Sequence, residues 1–310
     1  MTALPWPIGR PAPAHVAAAA ARVSGDVLAD AEVVAVADAG GYFFRYELRT
    51  AAGPFVLNAS RVVGAGRMNH LLSVTRLLAS HGVPHVPVRW IDSEGRFLSL
   101  PFFIEDLVPG EDAGRRWPKL GPDERAASAR TLGAIVRRLH RIAYADTELT
   151  WRDEFGERLR VHVAECRKIG ALTPGEAEEV LASWEAGRWA LDALPRVLVH
   201  RNLSPERILC ADAGDGVLLL DFTRARGADP ALDLAVLREL TFRRFPWAEA
   251  PFADGYGGDP GGQRGAAERD ALYRIDVCLV ATIRDSEIEA APRLERADLV
   301  AALRRLRRIA

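Results

Sequence analysis

The chain has 310 residues, 49% hydrophobic and 27% charged, with a net charge of −1 at neutral pH. That is ordinary for a soluble globular protein with room for two lobes, and it gives no global attraction to nucleic acid or an anionic membrane. Cys166, Cys210 and Cys278 form no CxxC pair, so they read as core or incidental thiols rather than a disulfide framework or metal site. No apolar run is long enough to span a bilayer, and the N-terminus carries four prolines and no basic start, so a cytoplasmic location is expected. Lysine occurs only at Lys119 and Lys168 amid many arginines, a composition typical of a GC-rich, actinobacterium-like genome.

In chain order, residues 1–13 form a Pro-rich arm and His15–Val23 a short Ala-rich helix. Three strands are predicted at Ala31–Ala37, Tyr42–Leu48 and Phe55–Asn58, with turns at Gly40-Gly41 and Ala52-Gly53. The period then becomes helical, placing Met68, Leu71, Leu72, Thr75 and Leu78 on one face until Gly82 and Pro84 stop it. Strands follow at Val86–Ile91 and Phe97–Ile104 around a turn at Asp92–Gly95. Beyond Glu105–Gly110 the chain is mostly helical. Pro122 opens one helix, and Thr173-Pro174-Gly175-Glu176 is a capping box that opens another. Asp229-Pro230 begins a helix through Leu240, and two more cover about 266–289 and 293–308. The glycine-rich run Phe252–Gly262 is expected to be a loop.

The stretch 197–222, VLVHRNLSPERILCADAGDGVLLLDF, places chemically capable residues at the ends of short strands. His200 follows Val197–Val199, and Asp221 follows Val217–Leu220. It resembles the central segment of the kinase fold in the form used by aminoglycoside phosphotransferases and choline kinases. That pattern runs His, any residue, Asp, four residues, Asn, then a strand and Asp-Phe. The resemblance continues through Gly40-Gly41 at the nucleotide-covering hairpin, the hinge-like LVPGE (Leu107–Glu111), LHRI (Leu139–Ile142), DFTRARGADPALDLA (Asp221–Ala235) and FADGYGG. It implies an α+β, bilobal protein kinase-like fold. A small antiparallel-sheet lobe with one helix would occupy 25–104 behind an N-terminal arm and helix at 1–24. A larger, mainly helical lobe would occupy 105–310.

The resemblance also implies five chemical parts, and four are replaced. Asn58 stands in the slot of the lysine that holds the nucleotide phosphates, and no lysine precedes Lys119. No acidic residue lies between Ala59 and Ile91 to partner such a lysine. Asn202 stands where an aspartate accepts or orients the substrate hydroxyl, and an amide takes no proton at neutral pH. Arg207 stands where an asparagine ligates Mg²⁺; a guanidinium only donates and would repel the ion. Asp221 is retained, so without a metal Arg207 could take the cation's place beside it. His200 could act as a base in principle, though a buried hydrogen-bonding role is the commoner one. Arg45, Arg61 and Arg67 could reach a phosphate, and Trp247, Asp254 and Tyr256 are acceptor-pocket candidates by position. Asp229 and Asp233 read as scaffold.

His200, Asn202 and Asp221 are therefore the candidate catalytic positions, and Gly40, Gly41, Asn58 and Arg207 the candidate cofactor-binding ones. No metal site is expected. The leading expectation is a pseudokinase-like protein that binds a small molecule, peptide or protein partner in the old cleft, with ATP or GTP, if bound, held without Mg²⁺. The alternatives are an enzyme of repurposed chemistry in a biosynthetic pathway, or a small-molecule phosphotransferase using displaced residues.

Overall fold

The computed structural model describes residues 9–36, 43–61, 68–212, 216–258, 264–288 and 295–308. The chain divides into two compact units: residues 1–110, 211–214 and 218–223 in the first, and 111–210, 215–217 and 224–310 in the second. No helix among the described residues is long and apolar enough to cross a membrane.

The first unit contains α1 (Pro13–Val23), β1 (Glu32–Ala35), β2 (Phe43–Thr50), β3 (Gly53–Ser60), α2 (Leu71–Ser80), β4 (Val88–Asp92) and β5 (Phe102–Asp106). The strands make one antiparallel sheet in the order β1-β2-β3-β5-β4. Period-two alternation decides its faces. Phe44, Tyr46, Leu48, Phe55, Leu57, Ala59, Phe102 and Ile104 share a core with Val16, Ala19 and Ala20 of α1. Arg45, Asn58 and Phe103 are neighbours across β2, β3 and β5 on the other face. The Tyr46 hydroxyl donates to the Pro11 carbonyl at 2.6 Å and ties the residues before α1 to the sheet.

The strand expected over Phe97–Ile104 starts only at Phe102. The Asp92 carboxylate accepts the Phe97 N–H at 2.9 Å and holds the intervening residues in turns. Ser99 takes a left-handed φ of 59° there. A Cβ on Gly95 would sit 3.0 Å from the Leu100 backbone. A local carboxylate–amide bond thus outcompetes strand extension.

The second unit follows β6 (Gly110–Asp112) and the short α3 (Ala113–Arg116), and its long helices are α4 (Pro122–Leu139), α5 (Trp151–Lys168) and α6 (Pro174–Gly187). Short strands β7 (Val197–Val199), β8 (Ile208–Ala211) and β10 (Arg226–Ala228) come next, while β9 (Val217–Leu219) falls mostly in the first unit. β7 pairs antiparallel with β10. Helices α7 (Ala231–Val236), α8 (Glu249–Tyr256), α9 (Ala266–Ile288) and α10 (Arg296–Leu306) complete it. After α7 the backbone runs directly into a π-helical segment, Leu237–Phe242.

Capping sets the helix starts. Thr173 and Glu176 cap α6 reciprocally, and Pro122 occupies the first turn of α4. The sequence pattern alone does not delimit α5. Thr150 caps it by accepting the Asp153 N–H at 3.1 Å, and Trp151, Phe155, Leu159, Val163 and Cys166 form its buried stripe. That stripe packs with Trp184 of α6 and Tyr273 of α9 in one core.

The glycine-rich run is not wholly a loop. Phe252–Tyr256 form the second half of α8, which ends at Gly257 with φ 92°. A Cβ on Gly255 would stand 1.9 Å from the Arg130 carbonyl oxygen, and one on Gly133 2.1 Å from that of Phe252. The glycines serve a close α4–α8 crossing, which composition alone does not distinguish from a turn. Residues 259–262 lie outside the described residues.

Candidate functional site

The 200–207 segment leaves β7 and is braced by the helix that begins at Ala231. Asp233, fully buried, accepts the His200 N–H at 2.7 Å and the Arg201 N–H at 2.6 Å. His140, at the end of α4, approaches the same carboxylate through Nε2 at 3.1 Å. Its Nδ1 meets the Tyr256 hydroxyl of α8 at 2.8 Å. Burial alone would raise the Asp233 pKa, but the His140 hydrogen bond, the charges at His140 and His200 and the His200 amide bond outweigh it and hold the carboxyl below its usual range. Further along, Thr241 Oγ1 donates to the Leu203 carbonyl at 2.7 Å.

This bracing holds Arg201 at φ 63°, a left-handed conformation that a long side chain adopts only under constraint. His200 is 0% exposed, which suits an internal hydrogen-bonding residue better than a base that must meet a ligand. Asn202 is also buried, and its carbonyl accepts the Ser204 N–H at 2.8 Å, closing a tight turn. Arg207 ends the segment in a single helical turn, Pro205–Arg207.

In the first unit, Asn58 of β3 is buried and its Nδ2 donates to Glu105 Oε1 of β5 at 2.9 Å. A neutral amide here attracts no phosphate, and the adjacent carboxylate repels one. Arg45 is exposed on the same sheet face. The Arg61 guanidinium stacks 4.4 Å from the Phe44 ring centroid. Gly40, Gly41 and Arg67 lie outside the described residues. Asp221 has a left-handed φ of 63°, and its Oδ1 accepts the Thr223 hydroxyl at 2.5 Å.

The residues at the implied Mg²⁺ positions do not fit the ion. Arg207 supplies only donors, and Asp221 alone retains a hard anionic ligand, with one oxygen already engaged by Thr223. Among the described residues no group of three or more His, Cys, Asp or Glu is arranged to hold a metal.

The acceptor candidates separate. Tyr256 is bound to His140, and burial pushes its hydroxyl up to about 12, so it stays a neutral hydrogen-bonding partner. Trp247 packs edge-on against Trp117 at 5.1 Å. Asp254 is exposed. Asp229 bonds the Ala231 N–H at 3.1 Å at the start of α7 and accepts the Tyr273 hydroxyl at 2.8 Å. Sequence reading missed Arg158, His162 and Asp276. Asp276 receives Arg158 Nη2 at 3.0 Å and His162 Nδ1 at 2.7 Å. Arg158 and His162 are four residues apart in α5, a spacing readable once that helix is delimited.

A five-stranded antiparallel sheet with its helices, a mainly helical second unit, and an acid-braced segment after β7 define a protein kinase-like phosphotransferase fold. The sequence profile of the phosphotransferase enzyme family matches residues 34–272, and the chain belongs to that family. Similar solved structures include a candidate aminoglycoside phosphotransferase from Ralstonia eutropha JMP134, with TM-score 0.67 and 13% identity, covering 96% of this chain and 99% of that one. A candidate fructosamine-3-kinase from Haemophilus somnus 129PT has TM-score 0.68 and 13% identity, covering 95% and 96%. An aminoglycoside-3'-phosphotransferase of type VIII has TM-score 0.60 and 25% identity, covering 80% and 93%. No curated protein matches the sequence.

Proposed function

We propose that this family member has given up ordinary Mg²⁺-dependent phosphoryl transfer and works, in the cytoplasm, by binding a small molecule, peptide or protein partner. The observation that carries the reading is the Asn58–Glu105 hydrogen bond, at 2.9 Å, in the slot where the resemblance puts the phosphate-holding lysine. Phosphoryl transfer by this fold is positioning plus charge neutralisation. The chain substitutes an amide beside a carboxylate for the lysine, an amide for the base at Asn202, and a guanidinium for a metal ligand at Arg207. The changes at Asn58 and Arg207 remove groups that neutralise phosphate charge, directly or by holding the metal, and the change at Asn202 removes the base, while the caps, the core and the Asp233 brace support a stable fold.

The test is nucleotide turnover. Purified protein is incubated with ATP or GTP, with and without Mg²⁺, and nucleoside diphosphate formation is followed. No formation above the protein-free rate is expected. Turnover that requires Mg²⁺ would overturn the reading and favour a phosphotransferase built from displaced residues.

A further inference from the structure

A second feature lies entirely within the second unit. A cavity of about 50 Å³ is lined by Arg201, Asn202, Arg224, Asp276 and Arg284 together with an apolar wall from α7, its π-helical continuation and α9. That volume holds a few water molecules or one small charged head group. Three guanidiniums and one carboxylate line it, and the carboxylate is already committed. Its two oxygens meet Arg158 at 3.0 Å and His162 at 2.7 Å. Behind it, Arg158 keeps Nε and Nη1 buried without a hydrogen-bond partner, its guanidinium 5.0 Å from the Phe155 ring centroid. Arg284 is buried, with Asp285 3.9 Å away.

Arg201 is the informative residue. Its backbone is held at φ 63° by Asp233, and its guanidinium makes no hydrogen bond or ion pair to a described residue. Burial, followed by the Arg158 charge, lowers its pKa to about 9, so it remains cationic at neutral pH. A strained backbone that aims a charged side chain into a cavity, where the Asp276 carboxylate that attracts it is already bonded to Arg158 and His162, is the arrangement expected where an external partner completes the charge balance. The wall beside it is apolar: Leu232, Val236, Leu240 and Val280. Leu240 lies in the π-helical segment, a local geometry frequent at binding sites.

We propose that this cavity binds a small molecule through an oxyanion, a carboxylate or phosphate group, held by Arg201 with Arg224 and Arg284, with its apolar part against Leu232, Val236 and Val280. Paired guanidiniums match the geometry of both groups, and the same field repels amines. The inference goes beyond the proposed function, because an oxyanion site here requires neither the presence nor the loss of phosphoryl transfer.

The test uses hexanoate, hexyl phosphate and hexylamine at matched ionic strength, read by calorimetry and by the thermal midpoint. At least one anion is expected to bind and raise the midpoint, and hexylamine to do neither. Binding of hexanoate alone identifies a carboxylate site, and of hexyl phosphate alone a phosphate site. Arg201→Gln and, separately, Arg224→Gln should each weaken the anion by about tenfold or more, and Arg201→Lys should retain part of the affinity. The proposal is overturned if neither anion binds, if hexylamine binds equally, or if folded Arg201→Gln and Arg224→Gln proteins bind like the unaltered chain. Mg²⁺-dependent turnover on the same preparation would overturn the proposed function and leave this site standing, and failure of anion binding would do the reverse.

Discussion

Asp233 should be the most sensitive single position in the second unit. Its carboxylate accepts two backbone N–H groups, at 2.7 and 2.6 Å, and faces His140 Nε2 at 3.1 Å, all out of water. In Asp233→Asn one oxygen becomes an NH₂ group. That group can only donate, so it opposes a backbone N–H and leaves it unsatisfied. Breaking a buried charged network of this kind costs about 3–5 kcal/mol, a large share of a typical total of roughly 5–15 kcal/mol. The pH dependence follows from the direction of the shift. The folded carboxyl lies below its ordinary value of 3.8, so its contribution is fully present above that value. It is lost as pH falls through the folded pKa. Urea unfolding of both proteins at neutral pH and at successively lower pH measures the difference directly. We expect several kcal/mol at neutral pH, shrinking in acid. A difference under about 1 kcal/mol at neutral pH, or one that stays constant into acid, would refute the brace.

Other perturbations probe separate links. Gly255→Ala places a methyl 1.9 Å from the Arg130 carbonyl oxygen, so α4 and α8 must part; a loss of about 2 kcal/mol or more in urea unfolding is expected, and a neutral effect would show that the crossing is loose. Asn58→Leu removes the Glu105 partner and should destabilise the chain by about 1–3 kcal/mol at neutral pH; an unchanged unfolding curve would mean that the bond carries no weight. Combining Asn202→Asp with Arg207→Asn restores a base and a metal ligand and should raise affinity for Mg²⁺–nucleotide in calorimetry. No change would argue that these two positions do not limit nucleotide binding.

Much of the fold was legible because its signals are local. The strand pattern at Tyr42–Leu48 and the Thr173–Glu176 box each act over a few residues, and they reappear as β2 (Phe43–Thr50) and the start of α6. What sequence reading misplaced was decided by contacts distant in the chain. The glycine-rich run from Phe252 looks like a loop until Arg130 is seen against Gly255. The strand before Phe102 is cut short by the Asp92 carboxylate. The candidate positions Asn58, Asn202 and Arg207 are readable in the sequence only through the family resemblance, whose pattern says which residue types to expect there. The Glu105 partner of Asn58 is not readable, because it comes from another strand of the sheet. The arginine cavity was hidden for a similar reason. Its charges are scattered from Arg201 to Arg284, and only the folding of the segment after β7 against α7 and α9 brings them together with Asp276.

The proposed loss of metal-dependent phosphoryl transfer is tested most directly by calorimetric titration with ATP and with GTP, each in the presence and absence of Mg²⁺. The substitutions at Asn58, Asn202 and Arg207 predict that Mg²⁺ brings no gain in affinity: either no nucleotide binds, or one binds equally well without the ion. Binding that appears only with Mg²⁺ would contradict the account, since a working metal site would then exist despite the guanidinium at Arg207.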